Sequence, residues 1–109
     1  MTFTENEIQI LQRVHYLVTL NCRQQIFLLE LASMFQISER TLTKRFKQMY
    51  HKTIYHHRLE NCMQRAKEML ESGESIKAVA LAMGYKTSGN FSRAYKKIFF
   101  VLPSTHQPH

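Results

Sequence analysis

The sequence predicts an all-α fold of about seven helices, arranged as two similar halves around one long helix. Three observations predict it. Gly (3) and Pro (2) are scarce in 109 residues, and neither Asn-Gly nor Asp-Gly occurs, so the usual hairpin turns are missing. Apolar residues recur at helical rather than alternating spacing. A block of the first half also recurs in the second half at a nearly constant offset. With 44% apolar residues, the chain has the composition of one folded domain with a modest core.

Taken in order, Ile8, Leu11, Val14, Leu17 and Val18 form one apolar stripe. Thr4 with Glu7 offers a capping box ahead of it, so a first helix runs from about Glu5 to Leu20. A second helix fits Leu28 to Met34, with Leu28, Leu31 and Ala32 inward. Ser38 is an N-cap for a third helix reaching about Met49. Thr53 opens a long amphipathic run containing Ile54, Leu59, Met63, Ala66, Met69 and Leu70, closed by Ser72-Gly73. Ser75 caps a short helix through Ala82, which Gly84 terminates in a left-handed C-cap. A last helix spans about Ser88 to Ile98, and the chain from Pro103 to His109 is expected to fray.

The repeat gives these helices a plan. Leu28, Leu31, Ala32, Gln36 and Ile37 match Ile76, Val79, Ala80, Gly84 and Tyr85 at an offset of 48. After one inserted residue, Leu42-Thr43-Lys44-Arg45-Phe46-Lys47 aligns with Phe91-Ser92-Arg93-Ala94-Tyr95-Lys96 at an offset of 49. Each unit is therefore a short helix, a tight turn and a basic helix. That is a homeodomain-like helix-turn-helix, with a small residue (Ala32, Ala80) letting its two helices approach. The turn favours a residue tolerant of positive φ, a demand that Gly84 meets well and Gln36 poorly. Leu42 and Phe46, like Phe91 and Tyr95, mark the buried face of the second helix in each unit. Lys44 and Arg93 follow the apolar residue by two and project away from it, where a long cation can reach a guanine edge or a phosphate. From Thr53 to Glu71 the connecting helix would be roughly 28 Å long at about 1.5 Å per residue. One turn of B-DNA is roughly 34 Å, so such a strut could hold two recognition helices in adjacent major grooves without a dimer.

Charge points the same way. The net charge is +7, yet residues 1–35 carry Arg13 and Arg23 against Glu5, Glu7 and Glu30. Between Glu39 and Lys52 lie Arg40, Lys44, Arg45, Lys47 and Lys52 with Glu39 as the sole acid, and between Lys86 and Lys97 lie Lys86, Arg93, Lys96 and Lys97 with none. Two basic segments in a chain of this kind suit a polyanion, and nucleic acid is the commonest one. No apolar run approaches the roughly 20 residues of a membrane span, and no secretory signal is recognisable. Cys22 and Cys62 make no CxxC pattern, so both are expected as packing residues in a reduced cytoplasm rather than as a disulfide. His51, His56, His57 and Cys62 lie close in sequence, but the spacing of His57 and Cys62 places them poorly on one helix face for zinc. No nucleophile–base pair, P-loop or metal motif is present, so neither an enzyme nor a cofactor is expected. The rival to a DNA-binding domain is a degenerate helical module that binds proteins instead.

These residues resemble the AraC/XylS family of bacterial transcription regulators over roughly Ile8 to Ser104. The stretches that carry the resemblance are Leu31-Ala32 to Phe46-Lys47, Arg65-Ala66-Lys67-Glu68-Met69-Leu70 and Ser75-Ile76 to Gly84-Tyr85. Phe91-Ser92-Arg93-Ala94-Tyr95-Lys96-Lys97 followed by Pro103-Ser104 completes the signature. The start of the chain and the Leu70–Glu74 joint resemble the siderophore-responsive branch. The resemblance implies a DNA-binding domain over residues 5–106 with a tail at 107–109. It implies activation of transcription, with promoter DNA and RNA polymerase as partners, in the bacterial nucleoid. By position in the motif, Arg40, Thr43 and Lys44 match the base-reading face of the first recognition helix. Ser88, Gly89, Asn90 and Arg93 match that of the second, and Lys47, Lys96 and Lys97 match phosphate contacts, which set register. Many members carry an effector-binding domain ahead of this module. These residues hold the module alone, as a complete small regulator or as the C-terminal piece of a larger one. The chain departs from the pattern at His51 and Phe100, where helix-ending glycines are usual, at Cys62 in place of Arg, and at His106 in place of an aromatic.

Overall fold

The structure is a computed structural model that describes residues 2–20, 22–24 and 28–108. It is all-helical among those residues: α1 (Glu5–Leu20), α2 (Leu28–Met34), α3 (Glu39–Tyr50), α4 (Ile54–Glu71), α5 (Ile76–Ala82), α6 (Ser88–Phe99) and a closing 3-10 turn, Pro103–His106. The helix starts are fixed by side-chain caps. Thr4 and Glu7 form the reciprocal capping box, with Thr4 N–H donating to Glu7 Oε1 at 2.9 Å and Glu7 N–H to Thr4 Oγ1 at 3.1 Å. The Thr4 backbone bond holds the Glu7 carboxyl below its ordinary range, and the Thr4 hydroxyl and Arg45 reinforce it against desolvation. Ser38, Thr53, Ser75 and Thr87 each accept from the backbone N–H three residues on.

The two repeats share one geometry. Each is a 7-residue helix followed by a 12-residue helix. Gln36 (φ 54°) and Gly84 (φ 87°) take positive φ at equivalent places in the turn. In both, the next N–H reaches back to the small residue of the preceding helix, Ile37 to Ala32 at 3.0 Å and Tyr85 to Ala80 at 2.9 Å. The inserted residue sits in the turn of the second unit.

Two separate cores flank α4. The first gathers Leu11, Val14, Val18, Leu31, Ala32, Leu42 and Phe46, with Ile54 from the first turn of α4 packed against it. The second gathers Leu59, Cys62, Met63, Ala66 and Leu70 of α4 with Val79, Ala80, Met83, Phe91 and Tyr95. Phe46, Phe91 and Tyr95 are fully buried, each contributing roughly 1.5–3 kcal/mol or more of transfer free energy. The resulting body is elongated, 50 × 24 × 19 Å, with α4 about 27 Å long from its 18 residues.

Two expectations are corrected here. Cys22 and Cys62 are joined as a disulfide across 40 residues, rather than packing as separate thiols. Spacing could not reveal this, because Cys22 lies in the connection after α1 and reaches α4 only once that connection crosses to the second core. The end of the chain does not fray at Pro103. Pro103 is buried, and the His106 ring packs edge-on against both Tyr95 and Phe99 with ring centroids 5.7 Å apart. His106 Nδ1 and the Tyr95 hydroxyl share a hydrogen bond. Burial first, and then the Glu71 charge, push the Tyr95 pKa up to about 12, so its hydroxyl stays protonated in that bond. His106 thus does the work of the aromatic it replaces. His109 of the expected tail lies outside the described residues.

Candidate nucleic-acid interface

In α3, Leu42 and Phe46 point into the first core. At about 100° per residue, Arg40, Lys44 and Lys47 lie about 120–180° from that direction, and Thr43 about 80° from it. All four are exposed. In α6, Phe91 and Tyr95 define the buried direction. Gly89, Asn90, Arg93, Lys96 and Lys97 lie about 120–180° away from it, and all are exposed. Ser88 stands apart, only about 40° from the core direction, and is exposed because it occupies the first residue of the helix. The structure therefore brings the expected residues other than Ser88 onto two outward faces, one per unit, with Lys44 equivalent to Arg93 and Lys47 to Lys96.

The cations on these faces are available to a ligand. Among the described residues, no hydrogen bond or ion pair engages the side chains of Arg40, Lys44, Lys47, Lys96 or Lys97. Arg93 donates through Nη2 to Asn90 Oδ1, one turn earlier. That bond holds the guanidinium against the helix and was not anticipated; the i, i+3 spacing of Asn and Arg is the sequence signal for it. Gly89 keeps the surface beside it open, since a Cβ there would lie 3.9 Å from Arg93 Nη1.

Other members of the basic segments are used internally. Arg45 Nε pairs with Glu7 at 3.0 Å and its guanidinium covers the Phe3 ring at 5.6 Å, tying α3 to the start of α1. Lys52 pairs with Glu60, which also accepts from His56 Nε2 at 2.7 Å. The Lys52 bond, together with the Lys52 and His56 charges, holds the Glu60 carboxyl below its ordinary range. His57 is buried against His15 (centroids 4.0 Å apart), Phe46 and Tyr50. Desolvation, then the neighbouring His15 and Lys52 charges, lower its pKa below 6.5 against the opposing pull of Glu60. The histidines near Cys62 are thus placed in an ion pair, an aromatic stack and, for His51, a helix end at φ 63°. Among the described residues, no cluster of His, Cys, Asp or Glu has the geometry to hold a metal ion, and no helix is long and apolar enough to cross a membrane.

Comparison with known proteins places this geometry. The helix-turn-helix domain family matches residues 31–108. The HTH-type transcriptional regulator ArgR of Pseudomonas aeruginosa is 33% identical over 75 residues, which are 68% of this chain and 23% of the regulator. The chain thus spans about a quarter of that relative's length. An AraC-type transcriptional regulator structure from Chromobacterium violaceum superimposes with a TM-score of 0.81 at 24% identity, covering 95% of this chain and 94% of the other. The C-terminal domain of the response regulator AraT from Geobacillus stearothermophilus gives 0.77 at 24% identity, covering 98% and 87%. Family and fold are those of transcription regulators, not of enzymes. With two helix-turn-helix units hung on one strut and a family match over most of its length, the chain belongs to the AraC-type helix-turn-helix family.

Proposed function

We propose that this chain is a double-stranded DNA-binding domain, spanning residues 5–106, that docks α3 and α6 into adjacent major grooves as a monomer. One observation carries the reading: two equivalent helices present outward cationic faces, one from each of the two cores that pack along an 18-residue strut. Arg40, Thr43 and Lys44 read bases in one groove, and Ser88, Gly89, Asn90 and Arg93 read bases in the next. Lys47, Lys96 and Lys97 hold phosphates and set register. Because Gly89 stands where the first unit has Arg40, the two half-sites differ in sequence and the operator is asymmetric. By family, the domain acts at promoters in the bacterial cytoplasm as an activator in contact with RNA polymerase.

Selection of bound sequences from a random duplex pool, followed by a salt titration on the winner, tests this. The expected result is an asymmetric site covering two major grooves, with log K falling steeply and linearly with log salt. Weak, salt-insensitive binding with no selected sequence would refute it and favour the rival reading, an interface for another protein.

A further inference from the structure

Cys22 and Cys62 are the only cysteines of the chain, and they meet at the joint between its two units. Cys22 follows α1, a helix of the first core, yet its own side chain is buried in the second core. Cys62 lies within the strut. Their Cα atoms are 5.7 Å apart, inside the span a disulfide bridges. Two further contacts hold the same connection. Arg58 of α4 donates to the carbonyl of Cys22 at 3.1 Å and to that of Gln24. The Arg23 carbonyl passes so near Gly84 that a Cβ there would lie 2.5 Å from it. Residues 22–24 are therefore clamped between the strut and the turn of the second unit.

We propose that Cys22 and Cys62 form a thiol–disulfide exchange site whose redox state sets how firmly the two helix-turn-helix units are held together. A thiolate of a small dithiol attacks Cys22 Sγ, the S–S bond breaks, and Cys62 leaves as a thiolate. The second thiol of the reductant then displaces Cys22 from the mixed disulfide. Two electrons and two protons pass from the dithiol to the protein, leaving two cysteine thiols and an oxidised reductant; a small disulfide reverses the step. Arg65 Nη1 lies 3.7 Å from Cys22 Sγ, where a guanidinium stabilises the departing negative charge. A cleft of about 410 Å³, lined by Arg23, Tyr55, Arg58, Met83 and Tyr85, opens beside Cys22 and admits a small thiol. In a reducing compartment, cysteines so placed respond to oxidation rather than serving as a permanent staple.

The effect on DNA rests on the two-groove reading above. With the bridge closed, the second recognition helix meets its groove as part of one rigid body; with it open, that effective concentration falls. The test uses the whole chain, air-oxidised or treated with dithiothreitol, with thiols counted by the mass shift on alkylation. Amide hydrogen exchange follows the joint, circular dichroism follows the fold, and anisotropy follows binding to a two-groove duplex and to one long enough for a single unit. The expected result is two alkylated cysteines only after reduction, unchanged helicity, and faster exchange at residues 22–24 and 79–85. Affinity for the two-groove duplex should fall about tenfold or more, and affinity for the short duplex should not change. A Cys22→Ala/Cys62→Ala variant should behave as the reduced chain and ignore dithiothreitol. The proposal is overturned if both thiols alkylate without reductant even after glutathione disulfide, if exchange is the same in both states, or if reduction unfolds the chain. If neither form binds any duplex, the DNA reading fails on its own, and the exchange comparison still decides the joint.

Discussion

Three residues end or turn helices in a conformation that their side chains disfavour, and relieving it should stabilise the chain. Gln36, His51 and Phe100 adopt φ of 54°, 63° and 62°. At the last two, the backbone N–H closes a left-handed cap on Lys47 and Lys96 at 2.8 Å, so the conformation is set by the helix end and not by the side chain. An L-residue held there loses about 1–2 kcal/mol, whereas glycine loses only the extra chain entropy of about 0.5–1 kcal/mol. Each substitution to glycine should therefore gain about 0.5–1 kcal/mol. Little packing is lost in exchange, since all three side chains are exposed, Phe100 to 82%. Gln36 and His51 are separated by the length of α3 and Phe100 lies in the other unit, so the effects should add. The triple variant Gln36→Gly/His51→Gly/Phe100→Gly should gain about 2 kcal/mol, a rise in Tm of roughly 10 °C for a domain of this size. Urea and thermal unfolding by circular dichroism measure it. Gly73→Ala is the reverse control, because φ is 100° there with open space around the new methyl, and it should destabilise by about 1 kcal/mol. A triple variant no more stable than the parent would mean that these helix ends are not strained, and the reasoning would fall.

Arg93→Ala should lower affinity for the selected operator by about 1–3 kcal/mol and relax preference at one base pair, whereas Lys96→Ala should weaken all duplexes alike. Competition anisotropy on single-base operator variants separates the two, and unchanged preference after Arg93→Ala would remove α6 from its groove. Gly84→Ala should destabilise by about 2 kcal/mol or more in urea, since a Cβ would meet the Arg23 carbonyl at 2.5 Å and φ is 87°. A smaller loss would mean that the connection gives way easily. Stability should also decline on acidification. The His57 pKa is lowered in the folded state, so the unfolded chain binds its proton first; the contribution is whole above pH 6.5 and is lost as pH falls from there toward the folded value. Chemical denaturation from pH 8 to 5 should show the slope, and His57→Phe should flatten it; an equal slope in the variant would place the titration elsewhere.

Helix positions were legible because their signals are local. Ser38, Thr53 and Ser75 stand immediately before their helices and cap them, and the apolar stripes mark the buried faces. The outward placement of Lys44 and Arg93 followed from the same periodicity. What escaped the sequence depends on partners distant along the chain. Arg45 looks like any cation of a basic helix until α1 packs across it and supplies Glu7 and Phe3. The closing turn at Pro103–His106 has little propensity of its own and is held by Tyr95 and Phe99. Cys22 sits in a short connection with no periodicity, so nothing nearby hints that it belongs to the second core rather than the first.

Among the described residues, the two cores have no buried side chain in common. A change in the packing behind α3 therefore reaches α6 only through α4 and the connection after α1, and the reverse holds as well. Each recognition face can drift, be repaired or be exchanged for another without renegotiating its neighbour, as long as the strut between them keeps its length. Half-site preference becomes a quantity that selection can adjust one half at a time, and an engineer could graft a new α2–α3 pair while leaving α5–α6 to hold the register.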